Sequence, residues 1–182
     1  MNLVGLTGLP RSGKNSFAEH LTRFYGFREA AFAGPLKFAA ATLLNRPIDH
    51  MLGIDFDRDA ILPEWGFTTR DFLQKLGTEC MRNQIRQDFW VKRMEISLHK
   101  MVESPLTTPH KIVITDVRFE NETALIRGLG GMIIEIQRPG LVKSDHPSDA
   151  GVKLLPTEPV VQNSGTLEDL HKVVDALFSP DG

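Results

Sequence analysis

The segment from Val4 to Ser16, VGLTGLPRSGKNS, constrains the fold of this chain more than any other. Leu3 to Thr7 is short, apolar and followed by glycine, which predicts a buried strand. From Lys14 to Phe24 the apolar residues Phe17, Ala18, Leu21 and Phe24 recur at helical spacing, so a helix follows the turn. Between strand and helix, Gly8, Gly13 and Lys14 have the spacing of a phosphate-binding loop, in the context such a loop requires. The glycines permit backbone angles and a close approach that side chains block. N–H groups at the helix start would then point at phosphate oxygens, with Lys14 adding a full charge. The competing reading is a glycine-containing turn that matches by chance. Asn15 stands where a Ser or Thr is expected, and a hydroxyl follows one residue later, at Ser16.

The rest of the chain predicts an α/β fold in three layers. Strands are expected at Arg28 to Ala33, Lys111 to Asp116, Gly131 to Gln137 and Pro159 to Asn163, making a central, mostly parallel five-stranded sheet with Leu3 to Thr7. Helices are expected from Gly34 with Pro35 in the first turn, near Thr69 to Gln84, near Asp88 to Val102, and after Thr166, where Asp169 completes a capping box. Asn45 to Thr68 has no clear period and reads as a long irregular excursion. At 182 residues, 41% hydrophobic and 24% charged, the chain suits one domain with a full core, without linker or repeat. A net charge of −2 argues against a nucleic-acid-binding surface. The single cysteine, Cys80, rules out an intrachain disulfide and fits a reducing, cytoplasmic setting. The first apolar run has no basic leader and is too short for a signal peptide or a membrane span.

Two further segments carry candidate chemistry. On a helix, Arg70, Gln74, Thr78 and Arg82 are spaced by four and make one drifting stripe, able to grip a phosphate and read a base edge. A solvated helix face is the alternative. Trp90 could stack on a ligand or serve the core. The strand KIVITD ends in Asp116, a place for a carboxylate that orients metal-bound water, with Arg118 emerging at the same sheet edge. A helix-capping acid is the alternative for Asp116. Asp55 to Asp59 has calcium-loop character, but Ala60 and Gly66 occupy the positions that need Gly and Glu, so it reads as a solvated loop.

GLPRSGKNS resembles the loop of nucleoside monophosphate kinases, in which a small or polar residue follows the lysine and the hydroxyl comes next. The wider chain resembles the bacteriophage-type deoxynucleoside monophosphate kinases, through RSGKNS, TTRDFLQKLGTE, DFWV, VITDVRFENE, IIEIQRPG, DHPSDAG and NSGTLEDL, in that order. The resemblance implies a P-loop kinase fold and Mg²⁺-assisted transfer of the γ-phosphoryl of ATP to a deoxynucleoside 5′-monophosphate. It implies a donor site of Gly8, Arg11, Ser12, Gly13, Lys14, Asn15 and Ser16, with Ser16 and, through water, Asp116 on the metal side. Lys14, Asp116, Arg118 and Arg138 would act at the reacting centre. Arg70, Gln74, Thr78, Arg82 and Trp90 would hold the acceptor within a helical region of residues 34–103. Residues 138–151 would form a short lid, and the turn Asn163 to Thr166 would pass near adenine. His146, Ser148 and Asp149 match a family pattern without an assigned role. Asn15 and Ser16 replace the family's usual Asp and Thr, which bears on metal handling. As partners the reading expects the monophosphate substrate, no nucleic acid and no membrane, and it leaves room for a homodimer. Its location would be the cytoplasm, the host's if phage-encoded. Alternatives are a kinase of the dephospho-coenzyme A or phosphomevalonate type, a non-catalytic ATP-binding module, and a kinase acting on bases within DNA. The acidic balance offers the last no duplex-binding patch.

Overall fold

A computed structural model describes residues 2–48, 57–103, 111–143 and 150–179. In chain order the strands are β1 (Asn2–Thr7), β2 (Arg28–Ala30), β3 (Ile61–Leu62), β4 (Phe67–Thr68), β5 (Lys111–Ile114), β6 (Met132–Gln137) and β7 (Val160–Gln162). The helices are α1 (Lys14–Tyr25), α2 (Gly34–Leu43), α3 (Thr69–Gln74), α4 (Phe89–Glu103), α5 (Glu120–Gly128) and α6 (Leu167–Phe178). The chain divides into two compact units, Met1–Ala31 with Glu95–Gly182, and Phe32–Met94. Among the described residues no helix is long and apolar enough to cross a membrane.

The first unit is built on a five-stranded sheet of order β2-β5-β1-β6-β7, parallel at every pairing. β1 is flanked on both sides, and its Leu3 to Thr7 are buried, as its apolar sequence predicts. One face of the sheet offers Val4, Leu6, Val113, Ile134, Ile136 and Val161 to Phe17, Ala18 and Leu21 of α1 and to Leu170 and Val174 of α6. Phe17 and Leu21 are fully buried, each contributing about 1.5–3 kcal/mol. On the other face α5 lies close: a methyl on Gly5 would meet Ile126 at 2.7 Å and Ile133 at 2.8 Å. A polar link joins α1 to α6. The Tyr25 hydroxyl donates to Asp175 (2.7 Å), which also contacts the His20 ring (2.7 Å), and these bonds hold the Asp175 carboxyl below its usual range. The expected Thr166–Asp169 capping box starts α6, with Thr166 N donating to Asp169 (2.9 Å) and Asp169 N to Thr166 (3.2 Å).

Several boundaries differ from the sequence reading. β2 stops at Ala30 rather than Ala33, because Ala31 to Ala33 already turn into α2, whose Lys37 N donates to Ala33 O (3.1 Å). The β5 ladder stops at Ile114, and single bonds carry it on: Thr115 N to Ala30 O and Val117 N to Leu6 O, both 3.1 Å. In the second unit, the excursion expected to be irregular contains an antiparallel hairpin of β3 and β4. Two-residue strands are too short for alternation to register in sequence. The helix expected near Thr69 to Gln84 is α-helical only to Gln74 and continues as a π-helix, Lys75–Ile85. Here Ala40 and Ala41 of α2 pack with Ile48, Phe72 and Leu73.

Candidate active site

The loop from Gly8 to Gly13 turns on three residues with positive φ: Gly8 (132°), Arg11 (65°) and Gly13 (109°). Two of these must be glycine on steric grounds too. A Cβ on Gly8 would lie 2.2 Å from Ile136 O, and one on Gly13 would lie 2.4 Å from Asn163 Nδ2. Gly13 is the N-cap of α1, with no side-chain cap and no acid in the first turn. A helix start of this kind presents its N–H dipoles to an anion rather than to a capping side chain. Lys14 Nζ donates to Gly8 O and Leu9 O, both at 2.7 Å, which sets a positive charge across the loop. Asn15 is exposed and Ser16 half-buried, so the displaced hydroxyl is the more enclosed of the two. Ser12 is 1% exposed, and its N–H donates to Leu9 O (3.2 Å).

Beside the loop, a cleft of about 360 Å³ opens at the carboxyl ends of β1 and β6. Thr7, Gly8 and Leu9 line it together with Arg118, Arg138 and Lys143, and among the described residues Glu135 is its one acid. The carboxyl ends of strands are where ligands gather in open α/β sheets. Arg118 and Arg138 are therefore brought to one cavity with Gly8, whereas half-buried Asp116 is not among the residues lining it. Arg118 is held through its backbone. Buried Glu122 reaches back from α5 and accepts from Arg118 N (2.7 Å) and Phe119 N (3.1 Å). Lys143 Nζ donates to Ala150 O (2.5 Å). Among the described residues no three His, Cys, Asp or Glu converge on a metal position. His146, Ser148 and Asp149 lie outside the described residues, as does Asp55.

In the second unit, Arg70, Gln74, Thr78 and Arg82 are all half-buried, while Asp71, Lys75, Glu79 and Asn83, one residue round, are all exposed. The solvated face is the second set, so the Arg-bearing stripe is its shoulder. The change of helix type keeps that stripe straight. Four residues overshoot an α-helical turn but fall short of a π-helical one, at ~4.4 residues per turn, so the drift reverses after Gln74. Arg70 is not waiting alone: its Nε and Nη2 donate to the two carboxylate oxygens of Asp59, the latter at 3.0 Å. Trp90 donates its indole N–H to Gly77 O (2.8 Å), inside the π-helix. Its ring also packs edge-to-face with Phe89, centroids 5.0 Å apart.

Sequence reasoning passed over Glu135, Lys143 and the bonding role of Glu122, read Asp59 only as part of a solvated loop, and placed Asn163 only near a base. Glu135 left the clearest signal, since an acid interrupting GMIIEIQ does not suit a strand buried on both faces. Glu122 sits three residues after Phe119, the N3 spacing of a capping acid. Asp59 is paired with Arg70 across eleven residues, which no local period encodes.

A family profile for deoxynucleotide monophosphate kinase matches residues 58–174. A protein of Acanthamoeba polyphaga mimivirus assigned as a deoxynucleotide monophosphate kinase is 32% identical over 188 residues, covering 96% of this chain and 94% of its own. The deoxynucleotide monophosphate kinase of Enterobacteria phage T4 is 23% identical, covering 96% of this chain and 97% of its own. Among solved structures, a chain assigned as a kinase from Chloroflexus aurantiacus superposes with a TM-score of 0.50 at 13% identity, covering 97% of this chain and 93% of its own. The last supports the fold alone, a P-loop kinase fold. With a profile spanning most of its length and a full-length relative at this identity, the chain belongs to the deoxynucleotide monophosphate kinase family and is a phosphotransferase.

Proposed function

We propose that this chain transfers the γ-phosphoryl of ATP, with Mg²⁺, to a deoxynucleoside 5′-monophosphate. The observation that carries the reading is the loop: positive φ at Gly8, Arg11 and Gly13, an uncapped helix start, and Lys14 across it fit a polyphosphate. Gly8, Arg11, Ser12, Gly13, Lys14, Asn15 and Ser16 form the donor cradle. Ser16 and, through water, Asp116 would hold Mg²⁺, which when bound withdraws charge from the phosphates. Arg118 and Arg138 neutralise charge on the group in transit. Arg70, Gln74, Thr78 and Arg82 take the acceptor, and Trp90 offers its ring to the base. The acceptor phosphate is already an anionic nucleophile, so positioning and cations suffice without a general base. Residues 138–151 serve to exclude water, which would otherwise hydrolyse the donor. The viral relatives support a site of action in the cytoplasm of an infected host.

The test is a coupled assay of ATP consumption against a panel of deoxy- and ribonucleoside monophosphates, with dephospho-coenzyme A and phosphomevalonate included. Turnover is expected on one or more deoxynucleoside monophosphates. Turnover confined to the other two acceptors, or ATP binding without turnover on any of them, overturns the reading. Lys14→Met should lower kcat by at least about 10²–10³-fold while the melting temperature stays near wild type, since the side chain lies outside the core.

A further inference from the structure

Gly13 poses a physical problem. Its φ of 109° and the 2.4 Å that would separate a methyl at this position from Asn163 require glycine, yet glycine is the residue that loses most conformational freedom on being fixed. Something outside the loop has to hold the Ser12–Gly13 peptide in place. Asn163 is built to do so. It follows β7, and its N–H donates to Gln137 O (2.7 Å), which extends the β6–β7 ladder by one bond and anchors its backbone to the sheet. The side chain, on a residue 7% exposed, then donates through Nδ2 to Ser12 O at 2.8 Å. A trans peptide is planar, with its C=O and N–H pointing in opposite directions. Fastening Ser12 O to Asn163 therefore aims the Gly13 N–H away from Asn163, at the start of α1.

We infer that Asn163 is a positioning residue for phosphoryl transfer: by gripping Ser12 O it orients the Ser12–Gly13 peptide so that the Gly13 N–H is presented to the donor's phosphates. The inference rests on the assignment of the loop to ATP. The bond is buried and its acceptor is main chain, so Asn163 acts through the loop and does not itself touch the nucleotide. Its loss should loosen donor binding and leave the acceptor alone. A buried hydrogen bond at such a point translates into an effect on the order of tenfold in donor KM.

The experiment compares wild type, Asn163→Ala, Asn163→Asp and Lys14→Met by steady-state kinetics with each substrate varied in turn. The expected result is a donor KM raised about tenfold in Asn163→Ala, with the acceptor KM unchanged. Asn163→Asp should be worse at neutral pH, where a carboxylate faces the Ser12 carbonyl. It should recover relative to wild type as pH falls, because a protonated carboxyl can donate to Ser12 O. A merely structural asparagine would move both KM values together, whereas the positioning role moves the donor KM alone. Folded Asn163→Ala with an unchanged donor KM, while Lys14→Met is impaired, overturns the role of Asn163 alone. Lys14→Met that uses ATP normally overturns the loop reading and this inference with it. Should the Asn163 variants not fold, the wild-type chain decides. Its Asn163 side-chain amide resonance should shift on adding MgATP and stay unmoved on adding the acceptor; a resonance indifferent to MgATP refutes the role.

Discussion

At the scale of single residues, the two contrasts that matter are Ser16 against Asn15 and Arg70 against Asp59. Ser16 is the half-buried neighbour and Asn15 the exposed one, so Ser16→Ala should impair donor use more than Asn15→Ala. Kinetics with ATP and Mg²⁺ varied check this, and the reverse order would make Asn15 the metal-side ligand. Arg70 has its Nε–Nη2 edge against Asp59, and the proposed acceptor role asks the same guanidinium to recognise a phosphate. Arg70→Ala should cost about 1.5–3 kcal/mol of acceptor recognition, or roughly ten- to a hundred-fold in kcat/KM, mostly as a raised acceptor KM. Arg70→Lys should recover only part, because a point charge satisfies neither the carboxylate pair nor a phosphate fork. An unchanged acceptor KM alongside a raised ATP KM would place Arg70 on the donor side.

At the scale of elements, the π-helix is the feature with the most consequence. Its i→i+5 pattern is rare and often accompanies function. Here it keeps Arg70, Gln74, Thr78 and Arg82 in register along the helix, and Trp90 pins it at Gly77 O. Trp90→Phe keeps most of the ring and removes the donor. It should destabilise the chain by about 0.5–1.5 kcal/mol, read by urea unfolding, and raise the acceptor KM if the π register serves the acceptor. A loss of stability with an acceptor KM unchanged in both this variant and Gln74→Ala would separate the stripe from substrate binding. The loop-to-helix junction of α1 works on another principle. There the geometry comes from two glycines and from main-chain and amide contacts, so substitutions that add a Cβ at Gly8 or Gly13 collide with Ile136 O or Asn163.

At the scale of the whole molecule, one buried ion pair ties sequence-distant parts of the first unit together. Glu158, with a side chain 4% exposed, accepts from Arg127 Nε (2.9 Å) and Nη2 (2.7 Å), from Ile133 N (3.1 Å) and from Leu155 N (2.7 Å). Burial by itself raises its pKa. The Arg127 pair and the two backbone donors outweigh it, so the carboxyl titrates below its ordinary value. A depressed folded pKa adds stability above the unfolded value, and that stability is lost as pH falls through the folded one. Glu158→Gln should cost about 3 kcal/mol at neutral pH, the lower end for a broken buried pair because Arg127, 23% exposed, can turn to water. Melting curves across pH should show wild type and variant converging as acid protonates Glu158. A gap that stays constant with pH would mean the charge is not what stabilises.

Much of this was legible from local pattern. The phosphate-binding loop, the five strands, Pro35 in α2 and the Thr166–Asp169 box all follow from spacing within a few residues, because strand, helix and cap preferences are short-range. The amino-acid sequence by itself therefore determined the α/β class, the position of the loop and the order of its elements. Tertiary structure alone decided what those elements touch. Asn163 reaches Ser12 across 151 positions, Glu158 reaches Arg127 across 31, and Asp59 takes up the Arg70 fork across 11. None of these pairings has a period, and each depends on which strand neighbours which or on which loop folds back on a helix. The π-helix belongs with them, since helix propensity does not distinguish an i→i+4 from an i→i+5 ladder. It is the surroundings, including the Trp90 bond to Gly77 O, that stabilise the wider turn.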